Sequence, residues 1–317
     1  MKSKKILVTG HAGFIGSSLT LRLLRDGYKV VGIDNYNDYY DVVAKEQNVR
    51  EFKNNSGFVE YRGDIRDKEL LKKVFKEQQI GTIIHLAARA GVRPSLLNPE
   101  LYHEVNVGGT INLLKVAKKN RVSQFIFASS SSVYGNQEKT PFSETDELEE
   151  PVSPYAETKM IAEKSCSHFA KETGMATTIL RFFTVYGPKG RPDMAPFLFC
   201  YKALKGLPVT KFGDGSSSRD YTYIDDIVEG IILSVKNPFD LEIINLGNNT
   251  PVSLNQFISL VEKVTGKKLK IISRPRHPAD VVKTYADITK AKELLGWKPK
   301  VSLNEGLKNL VNWLLSQ

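Results

Sequence analysis

Lys5-Ile-Leu-Val-Thr9 runs directly into Gly10-His-Ala-Gly13-Phe-Ile-Gly16, which opens the amphipathic stretch Phe14–Asp26. An apolar strand, three glycines and a helix in that order have one strong physical use. The glycines permit a tight turn, close approach of backbone to a pyrophosphate, and close helix–strand packing. The helix N-terminus then faces the phosphates. A lone glycine pattern could be only a turn, but here Asp34 ends the second apolar run. A carboxylate at that place binds both ribose hydroxyls and repels a 2′-phosphate, which favours NAD over NADP. Asp64-Ile65, after the third strand, is placed for the adenine edge, and Leu86-Ala87-Ala88, after the fourth, for lining the cofactor with small side chains. For these two fragments, loop ends without a role are the alternative. Phe14, Ile15, Asn35 and Asn106, with Tyr155 and Lys159, complete the expected cofactor set.

Outward from this loop, Lys5–Thr9, Lys29–Asp34, Phe58–Arg62, Thr82–Leu86, Gln124–Ser129 and Thr177–Arg181 read as buried strands. Helical patterns alternate with them near Phe14–Asp26, Asp67–Gln78, Pro99–Lys119 and Pro154–Thr173. That rhythm predicts a Rossmann-type, doubly wound parallel sheet. After about residue 180 it breaks into Gly- and Pro-rich loops and helices near Tyr223–Lys236, Leu254–Thr265, Asp287–Leu295 and Leu303–Leu315. Ser253 with Gln256, and Ser302 with Glu305, are capping-box pairs. The expected organisation is an NAD-binding domain over 1–180 and a smaller mixed α/β substrate lobe over 181–317, with some segments of the lobe able to return to the first domain.

The chain has 317 residues, 41% of them hydrophobic, which is ordinary for a globular protein able to bury a sizeable core. A net charge of +10 admits nucleic acid, a membrane surface or an anionic small molecule. The lysines are scattered, with no run of five basic residues, so an anionic small substrate is expected and nucleic acid is not. No stretch reaches the ~18 apolar residues of a membrane span. The opening basic residues precede an apolar run too short for a signal peptide, and the expected place is the cytoplasm. Cys166 and Cys200 lack disulfide or metal spacing and read as buried thiols. The five histidines have no ligand-like spacing, His85 reads as a packed core residue, and no metal is expected.

Tyr155-Ala-Glu-Thr-Lys159 puts a phenol and an ammonium on one helix face. Ser153-Pro154 supplies an N-cap and a favourable first helical residue. The ammonium and a positive nicotinamide both favour the phenolate of a group that normally titrates near 10. Upstream, Ala128-Ser129-Ser130-Ser131-Ser132-Val133 ends the fifth strand in hydroxyls. The GxxGxxG spacing with YxxxK resembles the extended short-chain dehydrogenase/reductase family, essentially over the whole chain. The resemblance implies Ser130, Tyr155 and Lys159 as catalytic residues, Lys159 also holding the nicotinamide ribose. Related dehydratases carry Asp-Glu at the positions of Ser131 and Ser132, and related decarboxylases carry Glu at Ser132. Serines are poor general acids or bases near neutral pH, so oxidation here should be followed by hydride return, which is epimerisation.

Asp34-Asn-Tyr-Asn-Asp-Tyr-Tyr-Asp41, Ala90-Gly-Val-Arg93, Arg181–Thr184 and Gly190-Arg-Pro-Asp-Met194 resemble UDP-glucuronate 4-epimerases more than glucose-type ones. The resemblance implies that Arg93, Ser130, Ser131, Ser132, Tyr155, Thr184, Arg191, Arg219 and Asp280 bind the UDP-sugar. Thr184 and Arg191, with Ser131 and Ser132, would surround the C6 carboxylate, a task that suits a planar guanidinium fork. The alternative for Arg191 is a surface loop beside two prolines, paired with Asp193. Arg89, His277 and Ala279 depart from the pattern of these epimerases. The resemblance also implies a homodimer pairing through helices at Pro99–Lys119 and Pro154–Thr173. Rival readings are a 4-epimerase of UDP-glucose or UDP-N-acetylglucosamine, and less so a UDP-glucuronate decarboxylase.

Overall fold

Strands buried on both faces of a parallel sheet must be almost wholly apolar. Ile6-Leu7-Val8, Val30-Val31 and Ile83-Ile84 meet that demand and are all buried. The computed structural model, which describes residues 5–276 and 281–317, forms its elements accordingly. The first stretch runs β1 (Lys5–Thr9), α1 (Phe14–Arg25), β2 (Val30–Asp34), α2 (Val42–Val49), β3 (Phe58–Arg62), α3 (Lys68–Glu77) and β4 (Ile80–His85). Then come α4 (Val92–Leu97), α5 (Pro99–Tyr102), a π-helical segment His103–Gly109, α6 (Thr110–Lys119), β5 (Gln124–Ser130), α7 (Pro154–Thr173) and β6 (Ala176–Phe182). Next follow β7 (Thr184–Tyr186), α8 (Ala195–Lys205), β8 (Val209–Phe212), β9 (Ser218–Tyr223), α9 (Ile224–Lys236) and β10 (Leu241–Leu246). The chain ends with β11 (Pro251–Ser253), α10 (Leu254–Thr265), β12 (Ile271–Arg274), α11 (Thr289–Leu295) and α12 (Leu303–Leu315).

Seven strands form one sheet in the order β10-β6-β5-β4-β1-β2-β3. The ladders β1–β2, β1–β4, β2–β3 and β4–β5 are parallel. The chain reverses direction of travel across the sheet at β1 and β4, so the C-terminal ends of these strands open a crevice for a ligand. This is the Rossmann-type architecture expected from the strand–helix rhythm. The core beneath it gathers Leu7, Val31, Ile83, Phe125 and Ile179 with Leu71 and Val74 of α3 and Leu113 of α6.

Two compact units result: 1–133 with 150–181 and 228–244, and 134–149 with 182–227 and 245–317. The expected division near residue 180 is thus crossed by 134–149 in one direction and by 228–244 in the other. The second unit holds a three-stranded sheet, β11-β9-β7, and the pair β12-β8. Its organiser is buried Asp220 on β9, whose carboxylate accepts the backbone amides of Asn248, Asn249 and Ala286. Trp297, also buried, donates its indole N–H to the Asp226 carbonyl at 2.8 Å.

One expected helix needs correction. Pro99–Lys119 is not a single α-helix, because residues 103–109 widen into a π-helical turn between α5 and α6. At Gly109 a Cβ would stand 2.4 Å from Ile65 Cδ1, so the segment packs closer to the strand-three loop than any side chain allows. Both cysteines are free and buried, and burial pushes the Cys200 thiol up to about 12.

Candidate active site

The turn after β1 is shaped by its glycines. Gly10 has φ +76°, and a Cβ there would meet the Ala87 amide nitrogen at 2.9 Å. At Gly16 a Cβ would fall 1.9 Å from the Gly10 carbonyl oxygen, so α1 packs directly on the turn. Gly13 is the N-cap of α1, with no side chain capping the helix and no acid in its first turn. An N-terminus with orphan amides and no carboxylate competitor fits a phosphate. Phe14 is buried at the first helical position, and Ile15 beside it is half-buried.

Asp34 ends β2 with its carboxylate accepting from the Ala12 amide at 3.2 Å and the Tyr36 amide at 2.8 Å. Asn35 donates to Asp64 at 2.8 Å. Burial works against the Asp64 carboxylate, but hydrogen bonds from Arg66 and Asn35 bring it below its ordinary range. Ile65 is buried. The Leu86 amide donates to the Thr9 carbonyl and the Ala87 amide to the Thr9 hydroxyl, which fixes the half-buried Leu86-Ala87-Ala88 strand end beside β1. An Asp34 carboxylate beside an uncapped helix end is the donor set that a dinucleotide needs, and the residues fit NAD.

Asn106 is buried and held by protein partners. Its amide accepts from the Arg89 N–H at 2.8 Å and donates to the Arg89 carbonyl at 3.0 Å and to Thr158 at 3.1 Å. Both its N–H donors are taken by protein, and it staples the strand-four loop to α7.

β5 ends in Ser130, and Ser131–Tyr134 form a 3-10 turn. The Ser130 hydroxyl lies 3.0 Å from that of Ser132 and accepts the Ser132 amide at 3.2 Å. Neither 131 nor 132 offers a carboxylate. α7 begins as expected, with Ser153 accepting the Ala156 amide and Pro154 in the first turn. Tyr155, Lys159 and Glu163 then share one face at four-residue steps. Lys159 is buried, donates to the Ala128 carbonyl at 2.7 Å, and stands 4.8 Å over the Phe127 ring. Burial pulls its ammonium down to about 8, against the opposing pull of Cys166 and Glu163. Tyr155 is half-buried, with its ring edge-on to Tyr102 at 6.3 Å, and the Tyr102 hydroxyl donates to the Ala90 carbonyl.

His85, at the end of β4, is neutral: burial, reinforced by the Lys159 charge, pushes it down to about 3. Thr110 donates its hydroxyl to the Asn106 carbonyl, so it accepts from His85 Nε2 at 2.9 Å. His85 Nδ1 then accepts from Thr9 at 2.7 Å. The network assigns the tautomer, and the ring is a core strut between β1 and α6.

The remaining expected substrate residues are placed as follows. Thr184 begins β7 and is half-buried. Arg191 grips Asp193 with Nε at 3.0 Å and Nη2 at 2.6 Å. The local pairing weighed from the sequence is therefore present, and a ligand carboxylate at Arg191 would share or displace Asp193. Arg219 on β9 donates to the Ser218 and Val282 carbonyls. Arg93 is exposed on α4. Asp280 lies outside the described residues, as do His277 and Ala279.

With this geometry in view, comparison with known proteins is decisive. The family model described as GDP-mannose 4,6 dehydratase matches residues 7–310. The chain belongs to this family, within the extended short-chain dehydrogenase/reductases. It is 47% identical to a UDP-glucuronate 4-epimerase of Thermodesulfobacterium geofontis, over 97% of this chain and 95% of that one. Among solved structures it is similar to the Bacillus cereus UDP-glucuronic acid 4-epimerase in complex with UDP-glucuronic acid and NAD. That likeness has TM-score 0.92 and 39% identity, and covers 98% of this chain and 99% of the other. It is also similar to the Thermotoga maritima UDP-glucose 4-epimerase with UDP-glucose, at TM-score 0.91 and 36% identity over 98% and 99% of the chains.

In this family member, sequence reasoning missed the buried support beneath the serines. Glu163 accepts the Ser129 hydroxyl and, on both oxygens, the Arg181 fork at 3.0 and 2.8 Å. Lys159 holds the Ala128 carbonyl and Glu163 holds Ser129, so α7 fixes the two residues that precede Ser130. The available signal was an arginine ending a strand read as buried, Thr177–Arg181, together with an acid two helical steps past Tyr155.

Proposed function

We propose that this protein interconverts UDP-glucuronate and UDP-galacturonate by NAD-dependent 4-epimerisation. The observation that carries it is the pairing of a Tyr155–Lys159 helix face with a serine-only strand end. Such a site removes and restores a proton but has no second acid or base to divert an oxidised sugar. Gly10, Gly13, Gly16 and Asp34 would hold the dinucleotide, with its pyrophosphate at the N-terminus of α1. When bound, NAD supplies a reversible hydride acceptor for C4 of the sugar.

The protein's own work is to move one proton and hold two anions. Tyr155, as phenolate, accepts the proton of the 4-hydroxyl and later returns it. Ser130 hydrogen-bonds that oxygen, and its place is set by the anchors at Ala128 and Ser129. Lys159 keeps positive charge beside the phenolate. Arg219 meets the diphosphate. Thr184 and Arg191, with Ser131 and Ser132, meet the C6 carboxylate. A 4-keto uronate is a β-keto acid that readily loses carbon dioxide, and a bidentate grip on the carboxylate restrains the geometry that favours loss.

A second reading has one observation in its favour: Arg191 is already engaged by Asp193. A neutral UDP-hexose would ask nothing of it. Proton NMR of the purified protein with UDP-glucuronate, UDP-glucose and UDP-N-acetylglucosamine separates the two. Conversion of the uronate alone is expected, and turnover of a neutral sugar alone overturns the uronate assignment while keeping the epimerase. Polysaccharide precursor supply in the cytoplasm is part of the proposal. Among the described residues no helix is long and apolar enough to cross a membrane. The working form proposed is a homodimer pairing through α7 and the 99–119 helices; a monomer by light scattering would oppose it.

A further inference from the structure

Arg62 is a problem for a site that takes NAD. It ends β3 in register with Asp34, the last residue of β2. An arginine near that strand end is the residue type that accommodates a 2′-phosphate in NADP enzymes. Its fork is engaged elsewhere: Nη2 lies 2.7 Å from Glu46 Oε1, Nε lies 3.5 Å from Glu60 Oε2, and the guanidinium sits 4.2 Å over the Tyr36 ring. Arg66, the next arginine, is likewise paired with Asp64 and Glu104.

Glu60 is fixed from its other side. Its register partner is Gly32, where a Cβ would stand 2.6 Å from His11 Cγ, so the glycine leaves room for a buried imidazole. His11 Nε2 lies 2.9 Å from Glu60 Oε1, and the Tyr36 hydroxyl donates to the same oxygen. Tyr36 adopts φ +49°, and its amide donates to Asp34. One residue, Tyr36, therefore ties the Asp34 carboxylate to the Glu60 carboxylate. The His11 hydrogen bond, opposed by burial and helped by Tyr36 and Arg62, brings Glu60 down to about 2. Near neutral pH it carries its charge.

We propose that Glu60 is a second determinant of cofactor choice beside Asp34, because with Glu46 it occupies the Arg62 cation that a 2′-phosphate would need. A 2′-phosphate would bring close to two negative charges. It would meet Asp34 and Glu60 together, with the Arg62 and Arg66 forks already engaged. This inference rests on the dinucleotide reading of the glycine turn. It also explains why residue 11 is a histidine and residue 32 a glycine, which the phosphate-binding role of the turn does not require.

The test is exchange of purified protein against an equimolar NAD and NADP mixture, with bound nucleotide quantified after separation. Wild type should retain NAD. Asp34→Asn should admit some NADP, and Asp34→Asn with Glu60→Gln should raise the bound NADP-to-NAD ratio by about tenfold further, the effect of one charge-assisted partner. Asp34→Asn with Tyr36→Phe keeps the Glu60 charge and should give no such gain. Arg62 is half-exposed, so Arg62→Ala keeps the test open should the Glu60 variant fold poorly. In the Asp34→Asn background it should leave the ratio unchanged, because the fork is already committed. A double variant no better than Asp34→Asn, or a loss of NADP on removing Arg62, overturns the proposal. Failure of wild type to bind either nucleotide would instead strike the dinucleotide reading.

Discussion

Tyr155 carries the chemistry of the proposed reaction, and its replacement isolates that role. Tyr155→Phe keeps the ring contact with Tyr102 but removes the group that takes the proton. Turnover should fall by about 10²–10⁴, the usual worth of general acid–base catalysis, with bound NAD and melting temperature unchanged. An active variant with wild-type turnover would move the base elsewhere. Arg191 makes a different prediction, because in the proposed complex it meets the part of the substrate that does not react. Arg191→Gln should raise KM for UDP-glucuronate or release pentose product by decarboxylation, read by NMR of the product mixture. Unchanged affinity with no pentose would leave Arg191 to its Asp193 partner alone. Of these residues, the shared helix face of Tyr155 and Lys159 and the place of Ser130 at a strand end were legible from helix periodicity and the end of an apolar run. The partnership of Glu163 with Arg181 was not, because local sequence does not say which buried charge meets which.

At the level of elements, β5 and α7 act as one part. Glu163→Gln would leave the buried Arg181 fork with one hydrogen-bond acceptor from residue 163 in place of two, and without the Glu163 charge. Breaking a buried pair in this way costs about 3–5 kcal/mol, measurable by denaturant unfolding, and a cost near zero would show that the pair relaxes into solvent. His85 gives β4 a pH dependence whose sign is fixed. Its ordinary value is 6.5 and its folded value about 3, so below 6.5 the unfolded chain binds a proton that the folded one refuses. Stability from this residue is complete above 6.5 and declines as pH falls toward 3, by roughly 1.4 kcal/mol per pH unit. His85→Asn should flatten the decline between pH 6.5 and 5, where the ordinary carboxylates contribute little. A variant with the wild-type slope would assign that decline to another group. Strands β1, β3 and α7 were readable to the residue because short apolar runs or an N-cap bounded them. The π-helical turn was not: it packs Gly109 against Ile65, a contact between residues far apart in the chain.

At the scale of the molecule, the sequence announces the Rossmann-type unit because each strand–helix step repeats the same local signals. It is silent about β10, which takes the outer place beside β6 some sixty residues after the rhythm has broken. Segment 134–149 joins the second unit although it lies between two elements of the first. Such returns are decided by which apolar faces remain uncovered, not by any motif in the returning segment. The whole-molecule claim is that a hydride leaves C4 and comes back to the same carbon on the opposite face. The most direct test is incubation of the purified protein with UDP-glucuronate deuterated at C4, in ordinary water, followed by proton NMR. The account requires UDP-galacturonate with deuterium still on C4 and none lost to solvent. Loss of the label to water, or a pentose in place of the epimer, would contradict it.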